Sequence, residues 1–189
     1  FGRLRTPHYL FSESLEIGYS YPWARPPVDV YVFFLEPFSH FDGADISYQT
    51  TVGDGFETEL KAFGGRMSGT FMGIDIEVSR TVGAVVSTKK DDLTLRYGIN
   101  TNRTDLHLPG GQVAIDGFDT AASFWPTTFG GMSENFYDNN QEYRYHGAGL
   151  QWEPGAWNIT AEKFLFLGPK EQYSLDSRGY YISVGRQYG

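Results

Sequence analysis

The chain has 189 residues, with 15 basic and 23 acidic side chains, a net charge of −8 and no cysteine. That excludes a disulfide scaffold and Cys-ligated zinc, and it argues against nucleic acid as a partner, because phosphate binding draws on clustered Lys and Arg. Aromatic residues make up 17% of the chain, which suits surfaces with one wet and one apolar side, and no window approaches the roughly 20 apolar residues of a membrane-crossing helix.

The first element is "GRLR", where Arg3 and Arg5 share one strand face and Leu4 takes the other. An aromatic loop follows over 6–29, and "VDVYVFF" at 28–34 is read as one further strand. In "GADISYQTTV", Ala44, Ile46, Tyr48 and Val52 alternate with Asp45, Ser47, Gln49 and Thr51, giving an oily and a wet side. "GDG" at 53–55 reverses the chain, and "FETELKAF" sets Phe56, Leu60 and Ala62 against Glu57, Glu59 and Lys61. "TVGAVVST", a "KKDD" turn and "LTLRYGIN" repeat the design, with Leu95, Tyr97 and Ile99 opposite Arg96, Gly98 and Asn100. Around "EPG", Leu150 and Trp152 enter the turn and Trp157 and Ile159 leave it, opposite Asn158, Thr160 and Glu162. The last run, "GYYISVGRQYG", places Tyr180, Ile182 and Val184 opposite Tyr181, Ser183 and Gly185.

Short turns near 53, 90 and 154 alternate with long connections at about 6–40, 65–79, 101–140 and 167–178. That asymmetry, the tryptophans flanking "EPG" and the charged, Gly-rich wet face predict an all-β fold, an antiparallel up-and-down transmembrane β-barrel of about eight strands. No linker or second domain is read within 1–189. The competing expectation is a soluble β-sandwich carbohydrate-binding module, with apolar residues packed inward and exposed Trp and Tyr stacking on sugars.

On "GRLRTP" with its aromatic loop and "RPP", on "FDGADISYQTTVGDGFETELKAF" and on "GLQWEPGAWNITAEKF", the chain resembles a Gram-negative outer-membrane porin. The resemblance covers most of the chain as pattern, through loose motifs. It implies a water-filled channel for small hydrophilic solutes in the bacterial outer membrane, bounded by lipid, in a homotrimer, with about 16 strands per barrel and an inward loop that narrows each pore. With about eight strands, a mid-strand beginning at Phe1 and no terminal aromatic at Gly189, the expectation is roughly half of such a barrel.

In a channel the chemistry is a field across a constriction. The expected pore-lining residues are Arg3, Arg5, Glu13, Arg25, Asp45, Glu57 and Arg96, with Arg3 and Arg5 facing the lumen and Glu59 and Glu162 as further acidic candidates. No cofactor or metal is expected: His8, His40, His107 and His146 lack ligand spacing and are read as loop or surface residues, and "YDNNQE" at 137–142 lacks the EF-hand spacing. An outer-membrane hydrolase would need a nucleophile and base such as Ser12 and His8, four residues apart, but no G-x-S-x-G is present.

Overall fold

Four positions with positive φ close the three short turns. Gly53 (57°) and Gly55 (89°) join β2 (His40–Val52) to β3 (Phe56–Phe71), Asp91 (50°) joins β4 (Ile74–Lys90) to β5 (Leu93–His107), and Gly155 (60°) joins β6 (Gln141–Trp152) to β7 (Trp157–Leu167). Glycine carries no steric penalty there, and aspartate tolerates the left-handed region better than most residues. β1 (Gly2–Arg5) and β8 (Ser177–Arg186) complete one antiparallel sheet in chain order, so all three tight turns fall at the same end. The computed structural model describes residues 1–12, 27–31, 39–71, 74–107, 111–124, 126, 141–168 and 176–187.

The sheet is a single layer of eight strands, not the two packed sheets of a sandwich. In a flat sheet β7 would lie about 29 Å from β1, at about 4.8 Å per strand spacing. Yet Leu10, five residues beyond Arg5 and so within about 18 Å of chain, donates its amide to Glu162 of β7. The sheet therefore curls around the segment that follows β1. Among the described residues β1 and β8 do not pair, so the curl is not closed into a barrel.

Three features differ from the sequence expectations. The connection expected at 65–79 is mostly strand: β3 runs to Phe71 and β4 begins at Ile74. The register shifts at Gly65/Met67 and at Val78/Arg80 both trace to one extra residue of β4 at Ser79, where the period-two pattern changes phase. The extra strand expected in "VDVYVFF" is instead a single helical turn, α1 (Val28–Tyr31), over its first four residues. The 101–140 connection is shortened by β5 and holds a helix, α2 (Gly111–Phe124), formed by "GQVAIDGFDTAASF".

The outer face of the sheet carries exposed apolar side chains. The face lined by Ile46, Tyr48, Val82, Ile182 and Val184 is exposed, with Ile46 at 74% and Ile182 at 73%. Thr81, Asn100, Asn102, Thr160 and Glu162 on the other, inner face are buried. Two apolar clusters also sit on the inner face. Phe41, Phe63, Met67, Val78 and Val85 form one, with Leu4 against it, and Tyr9, Phe11, Val30, Tyr31, Tyr145 and Phe164 form the other. Each large side chain there contributes about 1.5–3 kcal/mol, enough to hold α1 and the 6–12 segment inside the curl.

Candidate functional site

Strand register builds the site. Arg96 of β5 lies opposite Gly149 of β6, which lies opposite Glu162 of β7, which lies opposite Tyr181 of β8, so all four share one row of the inner face. Gly98 and Gly147 pair in the next row. These glycines make the floor on which residues 7–10 lie. A Cβ on Gly147 would stand 3.0 Å from the His8 carbonyl oxygen, and one on Gly149 would stand 3.3 Å from Leu10 Cβ.

Side chains from three strands then hold this segment, mostly by its backbone. Arg96 Nη2 donates to the Pro7 carbonyl (3.2 Å), Tyr145 Oη donates to the His8 carbonyl (2.9 Å), and Asn100 Nδ2 donates to His8 Nε2 (2.8 Å). Glu162, only 6% exposed, accepts from the Leu10 amide at 2.5 Å, from Tyr31 Oη at 2.5 Å and from Tyr181 Oη at 2.6 Å. One carboxylate thus ties the segment, α1 and β8 together. Three donors on two oxygens satisfy the hydrogen-bonding requirement of a buried carboxyl group far better than one would.

Burial, joined by the positive charge of Arg96, pushes the His8 imidazole down to about 3. Burial beside Glu162 pushes the Tyr31 hydroxyl well above its ordinary range, so it remains a donor. The unfolded chain takes up a proton near pH 6.5 and the docked segment does not until near pH 3, so docking is stable above that window and weakens as pH falls through it. His8 alone contributes a slope of about 1.4 kcal/mol per pH unit. A spin label at Leu10 is therefore expected to gain mobility between pH 6 and pH 4, and His8→Phe should abolish the change. A label equally immobile across that range would contradict this role for His8.

The expected pore-lining residues separate. Arg96, Asp45 and Glu57 all project from the inner face, Asp45 opposite Phe63 and Glu57 opposite Thr51 and Lys89. Arg3 and Arg5 do not match their expectation. Leu4 pairs with Phe41 and joins its inner-face cluster, so the arginines opposite Asp42 and His40 leave the strand on the other side. Arg5 still reaches the Ser12 carbonyl at 3.4 Å. Glu13 and Arg25 lie outside the described residues, as do residues 137–140 of the "YDNNQE" stretch.

His8, expected at a surface, is buried. His40 pairs with Ser39, and His146 Nδ1 lies 2.9 Å from Tyr97 Oη on the outer face. Ser12 Oγ accepts from the Tyr9 amide at 2.6 Å, and Asn100 Nδ2 engages His8 Nε2. Among the described residues no group of three His, Asp or Glu side chains could hold a metal ion.

Glu162 was legible as a wet-face acid, but Tyr31, Tyr145 and Asn100 as partners of the inward segment were not. The one available signal was an aromatic loop beside a strand pattern with a glycine-rich wet face. No family model, no curated protein and no solved structure matches the chain.

Proposed function

We propose that this chain forms the wall of an outer-membrane porin, a water-filled diffusion channel for small hydrophilic solutes. The observation that carries the reading is the exposed apolar outer face, around an inner face that mixes buried polar residues with two apolar clusters and is crossed by an inward segment. In water such an outer face would be an aggregation liability, whereas in a bilayer it is the required surface. Its height fits as well. Ten residue steps along β5 separate Leu93, level with Trp152, from Arg103, or about 33 Å of strand and about 25 Å at a tilt of about 40°. Trp152 and Trp157 sit at the short-turn end, where an aromatic girdle would lie.

The pore of this proposal is narrowed by residues 6–12 and α1, and its charge comes from Arg96, Asp45 and Glu57, not from Arg3 and Arg5. The open edges of the curled sheet are where further strands complete a barrel of about 16. Lys163 stands exposed between Ala148 and Tyr180 on the outer face, a costly neighbour for lipid, and in the homotrimer included in this proposal an adjacent subunit covers it. The test is conductance in a planar bilayer. The proposal expects ohmic single-channel steps from the detergent-extracted protein; a protein that leaves the membrane without detergent and gives no steps would overturn it.

A further inference from the structure

Where the two register shifts fall, three arginines come abreast on three adjacent strands. Arg80 of β4 lies directly opposite Arg103 of β5. Arg66 of β3 falls between the Gly65–Thr81 and Met67–Val78 pairs and so faces the same bulge. All three leave on the outer face, because Thr81, Asn102 and Thr104 beside them are buried on the inner one. Like charges directly across a ladder destabilise it, and strands about 4.8 Å apart give these little room to separate. Asp42 and Glu142 flank the row and Glu77 faces Asp105 just beyond it on the same side, though Glu142 is already held by Arg144 at 2.9 Å. Arg103 Nε is buried with no hydrogen-bond partner among the described residues.

We infer that Arg66, Arg80 and Arg103 form a binding site for the phosphate of an anionic lipid headgroup, at the long-connection edge of the apolar band. The inference rests on the porin reading, which puts the row at headgroup depth, about 25 Å above the tryptophans. Guanidinium groups suit this ligand because each offers paired N–H donors to phosphate oxygens. An anion bridging the row also removes the repulsion that the register imposes. A lipid is favoured over free phosphate because the site opens directly onto the exposed apolar face, where acyl chains would lie against Val82 and Ile46.

The test reconstitutes the protein into vesicles of phosphatidylcholine alone or mixed with phosphatidic acid, and then weighs bound lipid by native mass spectrometry. The wild type is expected to favour phosphatidic acid, and Arg80→Gln with Arg103→Gln to reduce that preference about thirtyfold, at roughly fivefold per arginine. Should the double variant fail to fold, Arg66→Gln alone should give the fivefold loss. Equal binding of both lipids by inserted wild type, or an unchanged preference in the variants, would overturn the site while leaving the porin reading intact. Displacement of the lipid by inorganic phosphate alone would overturn the lipid assignment. Failure to insert into either vesicle would bring down the porin reading and this inference together.

Discussion

Replacing Glu162 with Ala is expected to free the inward segment and raise single-channel conductance. The substitution strands three donors, the Leu10 amide and the Tyr31 and Tyr181 hydroxyls, around a position that is only 6% exposed. Hydrogen bonds to a charged acceptor contribute about 1.5–3 kcal/mol each, and orphaned buried donors add their desolvation, so about 3–5 kcal/mol of docking energy goes with the carboxylate. Arg96 also loses its nearest acid in the row. Glu162→Gln keeps one acceptor oxygen and should cost only about 1–2 kcal/mol, since neutral hydrogen bonds are weaker but remain made. Spin-label mobility at Leu10 and conductance should rise together in Glu162→Ala. Higher mobility without higher conductance would show that the segment does not narrow the path, and an immobile label would show that the carboxylate is not its anchor.

The second large effect concerns the outer face. Arg in place of Ile46 is expected to cost about 2–4 kcal/mol near the bilayer midplane, whereas Arg in place of its neighbour Ser47, on the inner face, should change stability by no more than about 0.5 kcal/mol. The contrast is diagnostic because Ile46 is 74% exposed. On a protein surrounded by water, a side chain that open tolerates arginine, and the two substitutions would be equivalent. Denaturant titration of both variants in lipid vesicles checks the difference.

The parts of this fold that were legible in the sequence are those governed by uninterrupted alternation. Ile46, Leu95, Ile159 and Tyr180 fell on the expected face because each sits within a long run of period two, where one phase holds throughout. Residues 65–79 were not legible, because a bulge at Ser79 shifts that phase inside a hairpin of 16- and 17-residue strands. Arg3 and Arg5 illustrate a different limit. Alternation established that they share a face opposite Leu4, but four residues cannot tell which face is inner, and the apolar cluster at Phe41 decided for Leu4. The anchoring site lay further out of reach. Glu162 meets Tyr31 and Leu10 across 131 and 152 residues of sequence, a coincidence created only by the curl of the sheet.

The most direct measurement is a cysteine scan along β2 from Ala44 to Thr51, each thiol carrying a fluorophore, read in vesicles against brominated lipid and against aqueous iodide. Brominated lipid should quench probes at positions 44, 46 and 48 and spare 45, 47 and 49, with iodide giving the reverse. Quenching by iodide at every position, or by lipid at the polar ones, would contradict an outer face bordered by lipid and an inner face bordered by water.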